Sequence, residues 1–233
     1  MNTSLPDYVP ELSKFITALN LNVVKTETAL VATFLERQVL GLLHREVFGF
    51  KEDFYRQHQQ RRTSCLGVLT CGGTTANIQA LWMARRRAFP AAERTGLTAQ
   101  AVVLASELAH YSLQKAVALL GLGSDALRRV PCRGFRVDLE AMQAELLRCR
   151  AQRLTVLAVV GLCGATETGS VDDLEGLAGL CDTFGCHFHV DAAWGGAMAL
   201  LRPLRGIEKA DTVTLDGHKL RLDRGCLNVS YVP

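Results

Sequence analysis

The sequence predicts an α/β fold in which a mostly parallel β-sheet is flanked by helices and preceded by an N-terminal helical segment. From residue 66 onward, short apolar runs alternate with segments of helical periodicity, which is typical of a parallel sheet with crossover helices. One of these runs, residues 154–160, is almost continuously apolar, as strands buried on both faces are. The composition, 48% hydrophobic and 21% charged over 233 residues, provides for a core and excludes a disordered chain.

The first sixty residues carry helical signals. Between Thr33 and Val47, apolar residues recur at the spacing of one helix face, as at Leu35, Val39 and Leu42. A more polar stretch follows at residues 51–63 and suggests a domain boundary. We therefore predict an N-terminal helical segment over residues 1–60 and a large domain over residues 61–233.

The remaining elements follow from their local patterns. Strands are predicted over residues 66–70, 101–105, 154–160, 186–190 and 212–215. Helices are predicted over residues 75–89, 112–120 and 173–184, and from a cap at Asp138 to about residue 151. Leu227, Val229 and Tyr231 alternate with polar residues, which indicates one more strand near the end of the sequence.

Charge, apolar runs and cysteines exclude several classes of protein. Lys and Arg total 26 against 23 Asp and Glu, and a net charge of +3 does not indicate a nucleic-acid partner. The most apolar run, residues 154–163, is about half of what a membrane span needs, and residues 1–10 do not resemble a signal peptide. We therefore expect no membrane partner and a cytoplasmic location. The eight cysteines include no C-x-x-C pair, which predicts reduced, mostly buried thiols.

A glycine-rich turn lies between a predicted strand and a predicted helix. Its sequence is Cys71-Gly72-Gly73-Thr74-Thr75-Ala76-Asn77. Two glycines allow the backbone to approach a ligand closely, and the helix start offers free N–H groups and threonine hydroxyls, so the turn is a candidate phosphate cradle. Taken alone, the same residues also fit a tight turn with a helix cap.

Polar residues alternate at the end of a later strand. His187, His189 and Asp191 share one face, where two imidazoles and a carboxylate are candidate metal ligands. The small residues that follow, at positions 192–196 with Trp194 among them, suit instead a flat ring lying against the backbone. Lys219 follows the next strand and is either a nucleophile or a solvated loop lysine.

The order of these features along the chain narrows the choice. An aromatic ring that carries a phosphate and an aldehyde would use all of these features. Along the chain they occur in the order phosphate cradle, His110 after a strand, Asp191 and Lys219. The cradle would hold the phosphate, His110 would stack on the ring, Asp191 would pair with the pyridinium nitrogen, and Lys219 would form the Schiff base. The predicted ligand is pyridoxal 5′-phosphate, and no metal is expected.

The sequence also resembles the group II pyridoxal-phosphate decarboxylases, the family of glutamate and aromatic amino-acid decarboxylases. Matching segments occur in family order between about residues 15 and 220 and are Gly72-Gly73-Thr74-Thr75-Ala76-Asn77, Ala109-His110-Tyr111-Ser112, Gly164-Ala165-Thr166-Glu167-Thr168-Gly169, His189-Val190-Asp191-Ala192-Ala193-Trp194-Gly195-Gly196 and His218-Lys219. The family's glycine-threonine-threonine stretch is Gly164-Ala165-Thr166 here. Residues 19–25 and 211–219 look most like a bacterial subgroup of aspartate 1-decarboxylases.

This resemblance implies the large domain of a fold-type-I pyridoxal-phosphate enzyme and a role for each matched residue. The catalytic residues it implies are Lys219, His110 and Asp191. The cofactor-binding residues it implies are Gly73, Thr74, His110, Thr166, Asp191, Ala193, Thr214, His218 and Lys219. Gly73, Thr74, Thr214 and His218 would contact the phosphate, and His110 and Ala193 would pack on opposite faces of the ring.

The activity that the resemblance implies is decarboxylation of an L-amino acid with an acidic side chain, aspartate or glutamate, by a homodimer. Family members continue after the lysine through a catalytic loop and a small C-terminal domain, whereas residues 220–233 do not follow that pattern, so we expect the small domain to be missing. The alternatives are a non-catalytic remnant that binds the cofactor or a full-length partner, another enzyme of the same fold such as an aminotransferase, and a metal hydrolase.

Overall fold

The N-terminal part of the chain is helical, as predicted. The computed structural model describes residues 7–23, 25–29, 31–199, 204–217, 219 and 226–230. The first helices are α1 (Val9–Leu19), α2 (Thr26–Ala29), α3 (Val31–Phe48) and α4 (Glu52–His58). Helix α4 lies inside the polar stretch at residues 51–63, so that stretch is not a simple linker. Acidic side chains in the first turn of α4 and basic ones in its last turn complement the helix dipole.

A seven-stranded sheet forms the centre of the described structure and confirms the predicted α/β class. The strands are β1 (Gly67–Thr70), β2 (Ala101–Ser106), β3 (Leu127–Val130), β4 (Cys132–Arg133), β5 (Arg136–Val137), β6 (Thr155–Leu162), β7 (His187–Ala192), β8 (Thr212–Asp216) and β9 (Cys226–Ser230). The order across the sheet is β1-β9-β8-β7-β6-β2-β3, and β4 and β5 form a separate hairpin. Strand β9 is antiparallel to both of its neighbours, whereas the other neighbouring pairs are parallel.

Helices cover both faces of this sheet. They are α5 (Gly73–Ala88), α6 (Ala92–Thr95), α7 (Ser112–Leu119), α8 (Leu139–Ala151), α9 (Leu174–Phe184) and α10 (Gly196–Ala199). Helices α5 and α7 pack on one face, and α3, α8 and α9 pack on the other. Strand β2 is therefore buried along its whole length. In the described part of the chain, no helix is long and apolar enough to cross a membrane.

The predicted elements occur close to their predicted bounds, with additions. The Asp138 carboxylate accepts hydrogen bonds from the backbone N–H groups of Glu140 and Ala141, which confirms it as the cap of α8. The sequence patterns missed β3 and the β4–β5 hairpin. The residues that alternate near the end of the sequence form β9, although Tyr231 lies outside the described residues.

The prediction that the cysteines are mostly buried is wrong. All seven described cysteine side chains are free thiols. Three of them are buried, namely Cys149, Cys163 and Cys181, whereas Cys65 and Cys71 are exposed and the others are intermediate. Their burial follows position in the fold, since the exposed pair flanks β1, an edge strand of the sheet.

Candidate active site

A cavity of about 230 Å³ opens at the carboxyl ends of the parallel strands. This is the edge at which α/β sheets bind ligands, because the loops that follow the strands converge there. Seven of the sequence-predicted site residues line it, namely Gly73, Thr74, His110, Thr166, Asp191, Ala193 and Lys219. The lining does not include Thr214, and His218 lies outside the described residues.

Asp191, at the end of β7, is a buried carboxylate with two hydrogen-bond donors. The backbone N–H of Ala193 donates to its Oδ1 at 3.1 Å, and the Asn77 side-chain amide donates to its Oδ2 at 2.8 Å. Asp191 is only 6% exposed, so these bonds replace most of the water that a free carboxylate would bind. The site therefore presents a negative charge of defined orientation to the cavity.

His110 presents a neutral ring. The backbone N–H of Ser112 donates to His110 Nδ1 at 3.2 Å, which assigns the ring proton to Nε2. Burial lowers the pKa of His110, and the negative charge of Asp191 opposes that effect only partly. The ring also contacts that of Tyr111, with centroids 4.0 Å apart. An uncharged planar ring at a cavity wall is suited to stacking on another ring.

Lys219 follows β8 and is not the solvated loop lysine that the sequence left open. Its side chain is 29% exposed, and its Nζ lies 3.6 Å from Oδ2 of Asp216, whose side chain is 1% exposed. The amine is thus held at the cavity beside a buried carboxylate. Asp216 itself lines the same cavity, although the sequence analysis assigned it no role.

The glycine turn between β1 and α5 supplies an open helix N-terminus. Helix α5 begins at Gly73, and its N-cap residue is Gly72, which has no side chain to cap the first turn. A Cβ atom at Gly73 would lie 3.4 Å from the Ala193 side chain, so the turn packs directly against the segment that follows Asp191. Uncapped N–H groups at the start of a helix form a site for an anion such as phosphate.

The two histidines of β7 bind protein groups rather than converging on an open site. His187 Nε2 and His189 Nδ1 each lie 2.9 Å from the hydroxyl of Thr212, and His189 Nε2 lies 3.2 Å from Oδ1 of Asn77. Among the residues that the structure describes, no group of three His, Cys, Asp or Glu side chains could hold a metal ion. The face of β7 that was a candidate metal site therefore carries histidines that are hydrogen-bonded to other protein groups.

Asn77 is the functional candidate that the sequence analysis missed. It lies in the quoted glycine-rich motif, but no role was assigned to it. Its position on α5, next to Ala76 and four residues before Leu81, places it on the buried face of that helix. The signal in the sequence was a polar residue on the apolar face of a predicted helix, which marks Asn77 as unusual. The sequence pattern does not show which residues Asn77 contacts.

Thr214 is buried behind the cavity, on β8. It pairs with Asp191 across the β7–β8 register, so the two residues lie side by side. Its Oγ1 is buried and has no hydrogen-bond partner among the described residues. A buried hydroxyl without a partner is costly, and such groups often serve a bound ligand or water.

Comparisons with known proteins show which family the chain resembles. The model of the pyridoxal-dependent decarboxylase conserved domain matches residues 5–230. The chain is 42% identical to an aspartate 1-decarboxylase of Aliivibrio fischeri, over 94% of this chain and 44% of that protein. It is 34% identical to an L-2,4-diaminobutyrate decarboxylase of Rhizobium meliloti, over 92% of this chain and 41% of that protein.

The fold comparison gives the same result. The crystal structure of mouse CSAD in apo form superposes with a TM-score of 0.87 at 29% identity, covering 99% of this chain and 48% of that one. The chain thus spans less than half the length of the relatives it matches. Both the sequence match and the fold identify the chain as a member of the pyridoxal-dependent decarboxylase family.

Proposed function

We propose that the protein decarboxylates an L-amino acid with an acidic side chain, using pyridoxal 5′-phosphate held at Lys219. The observation that carries this proposal is the single cavity lined by the Lys219 amine, the Asp191 carboxylate, the His110 ring and the open N-terminus of α5. These are the groups needed to hold an aldehyde, a ring nitrogen, a ring face and a phosphate. Because the chain spans less than half of its relatives, the activity is proposed rather than carried over from them.

The residues at the cavity fit this cofactor. The first turn of α5 begins at the cavity with Gly73, and its backbone N–H groups could bind the phosphate of such a ligand. The hydroxyl of Thr214 is fully buried and does not line the cavity, so its proposed phosphate contact has no support in the lining. Small residues at Gly73 and Ala193 leave room for a flat ring. The remaining proposed contacts are those of Thr74 and Thr166, which line the cavity, and His218.

Each residue has a defined task in the proposed reaction. When bound, pyridoxal phosphate supplies an electron sink for the pair left on the α-carbon as carbon dioxide departs. Lys219 would hold the cofactor through its amine, and Asp191 would hold a proton at the ring nitrogen. His110 would pack on the ring and exclude water there. A carboxylate beside that nitrogen is essential to the sink, because it favours the charged form of the ring.

Aspartate or glutamate is the proposed substrate. The relative from Aliivibrio fischeri is named aspartate 1-decarboxylase and is 42% identical, whereas the relative from Rhizobium meliloti is named for diaminobutyrate and is 34% identical. We therefore rank aspartate first and include both acidic amino acids, together with 2,4-diaminobutyrate, in the test.

We also propose that the chain forms a homodimer. Helices α1 and α3 each expose a set of apolar residues, and we call the two sets together the apolar helix surface. It consists of Leu12, Phe15, Ile16 and Leu19 on α1 and of Val31, Phe34, Leu35, Val39 and Leu42 on α3. Apolar area of this kind is typical of a protein interface, and a second copy of the chain would cover it.

Free thiols among the described cysteines support the proposed cytoplasmic location.

The decisive experiment combines absorbance with product analysis. Purified protein with added pyridoxal phosphate is expected to show the visible band of lysine-bound cofactor, and Lys219→Ala is expected to lose it. Lys209→Ala, which changes an exposed lysine paired with Glu175, is the control and should keep the band. Release of carbon dioxide from aspartate or glutamate by the wild type, and not by Lys219→Ala, completes the test.

The second candidate is a chain that binds the cofactor or a full-length partner without turnover. The observation that favours it is the coverage of 44% of the aspartate 1-decarboxylase relative. A visible band with no carbon dioxide from any tested amino acid would favour this candidate. The absence of a band in both the wild type and Lys219→Ala would contradict the proposed decarboxylase and favour the second candidate as a chain that binds a full-length partner. Release of carbon dioxide by the wild type would contradict the second candidate.

A further inference from the structure

A line of buried polar side chains leads from Asp191 into the interior, away from the cavity. Its members are Asn77 on α5, His189 on β7, Thr212 on β8 and His187 on β7, and each is between 0% and 6% exposed. Asn77 lies 2.8 Å from Asp191 and 3.2 Å from His189, and Thr212 lies 2.9 Å from each histidine. We call this set the Asn77 relay. The mechanism proposed above uses Asp191 but none of the other members.

The donor to Asp191 can be assigned from the carboxylate. An ionised Asp191 only accepts, so the Asn77 amide nitrogen faces it and donates, which leaves the Asn77 oxygen facing His189 Nε2. On the other side of the ring, His189 Nδ1 lies 2.9 Å from the Thr212 hydroxyl and 3.1 Å from the Thr212 backbone carbonyl. Each ring nitrogen of His189 therefore faces an oxygen that only accepts, the Asn77 oxygen at Nε2 and the Thr212 carbonyl at Nδ1.

The Asn77 amide nitrogen therefore points toward Asp191. The second amide proton of Asn77 is also engaged, since Asn77 Nδ2 donates to the Ser112 hydroxyl at 3.0 Å. This leaves Asn77 without freedom to rotate, because both of its ends are held by groups on other elements. In a buried site with a low dielectric, a hydrogen bond of this kind stabilises the negative charge that accepts it.

Both histidines of the relay are neutral at neutral pH. Burial lowers the pKa of both His187 and His189 to about 4. The carboxylate that faces His187 from the loop before β8 is Asp211, 3.8 Å away and paired with Arg87 of α5. The charged or titratable groups that face the other end are Asp191 itself, Lys219 and His110. His187 Nδ1 has no hydrogen-bond partner among the described residues, which agrees with a proton on Nε2.

We propose that Asn77, held by His189, is a positioning residue that fixes the Asp191 carboxylate and aims it at the cofactor's ring nitrogen. The inference rests on the proposed function, because the cofactor gives the orientation of Asp191 its purpose. Asn77 does not act on the substrate. It acts through Asp191, and its loss would leave a buried carboxylate with one donor fewer.

The first test needs neither cofactor nor variant. In the unliganded protein labelled with nitrogen-15, ring-nitrogen NMR at neutral pH is expected to show His189 protonated at Nε2 and not at Nδ1. A proton on Nδ1 alone would leave the Asn77 oxygen without a donor from His189 and would overturn the proposal.

The second test measures cofactor affinity. Asn77→Leu is expected to raise the dissociation constant of pyridoxal phosphate by about 10- to 100-fold, the effect of losing a hydrogen bond to a buried charge. His189→Leu should act in the same direction, and His189→Gln, which keeps a donor facing Asn77, should recover most of the affinity. Gln79→Leu, a change of similar size on the same helix, is the control and should leave affinity unchanged.

A double-mutant cycle separates positioning from a general effect on folding. In an Asp191→Asn background, adding Asn77→Leu should weaken cofactor binding no further, because the carboxylate that Asn77 orients is gone. An equal loss in both backgrounds would overturn the proposal. If Asn77→Leu does not fold, the comparison of His189→Gln with His189→Leu decides. Failure of the wild type to bind cofactor overturns the proposed function, whereas normal binding by both wild type and Asn77→Leu overturns this inference alone.

Discussion

His187 and His189 are buried side by side in β7 and share the hydroxyl of Thr212. Burial is the main cause that lowers the pKa of each to about 4, whereas histidine in an unfolded chain titrates near 6.5. Between these two values the unfolded chain binds more protons than the folded one. The free energy of unfolding must therefore fall as the pH drops through this range.

This linkage gives a prediction at the scale of single residues. From pH 7 to pH 5 we expect the free energy of unfolding to fall by about 1–2 kcal/mol for each of the two histidines. His187→Asn removes one of them, so the variant should lose less stability over the same interval. Urea unfolding at several pH values measures both slopes, and equal slopes for wild type and variant would contradict the prediction.

The roles of single residues were predictable from sequence where a motif carried them. The lining of the cavity by His110, Asp191 and Lys219 follows from residue type and from their order after successive strands. Asn77 was not predictable in the same way, because its partners Asp191 and His189 lie 114 and 112 residues further along the chain. Local pattern indicates that a position is buried but not what it contacts.

At the scale of elements, two loops at the cavity pack backbone against backbone. Gly164, which follows β6, has φ +90°, and a Cβ atom there would lie 2.7 Å from the nitrogen of Gly195. Gly195 N donates to the carbonyl of Cys163 at 2.9 Å, and a Cβ atom on Gly195 would collide with that carbonyl. Only glycine allows the two loops to approach this closely.

We therefore predict opposite effects for two glycine-to-alanine changes. Gly195→Ala should lower the free energy of unfolding by about 1–3 kcal/mol, because the loops must move apart. Gly179→Ala is the control, since Gly179 lies in α9 with open space around it, and it should raise the free energy of unfolding by roughly 0.5–1 kcal/mol. Urea unfolding measures both, and a neutral Gly195→Ala would show that the loops are not closely packed.

There is a physical reason why the sequence patterns did not predict β3. Strand β3 is the edge strand next to β2, and its central residues are Arg128 and Arg129. Charged residues protect an edge from pairing with another chain, and they also hide the apolar pattern by which strands are recognised. Arg128 pairs with Glu145 of α8, so the charges are satisfied locally.

At the scale of the whole molecule, the apolar helix surface leads to a prediction about assembly. Light scattering on the purified chain is expected to give twice the mass of one copy. Phe15→Glu combined with Phe34→Glu places a charge on each of the two helices and should yield the monomer, because a buried unpaired charge opposes association.

The matched control adds the same charge elsewhere. Gln143→Glu combined with Ala144→Glu changes exposed positions of α8, outside the apolar helix surface, and should leave the mass unchanged. A monomeric wild type would contradict the proposed homodimer. A dimer that persists in the doubly charged variant would show that the two copies meet on another surface.

The sequence by itself determined the α/β class, most strands and helices of the large domain, and seven of the residues that line the cavity. It could do so because apolar periodicity reports which face of each element is buried, and because the carboxyl ends of parallel strands must meet at one edge. The division into residues 1–60 and 61–233 stays a prediction.

Only the tertiary structure decided how the site is held. In the structure, Asn77 contacts Asp191, and Lys219 lies beside Asp216. His187 and His189, which were candidate metal ligands, contact the hydroxyl of Thr212 instead. The physical reason is that hydrogen bonds and ion pairs depend on distances of a few ångströms between elements far apart in the chain. Periodicity along the sequence carries no information on those distances.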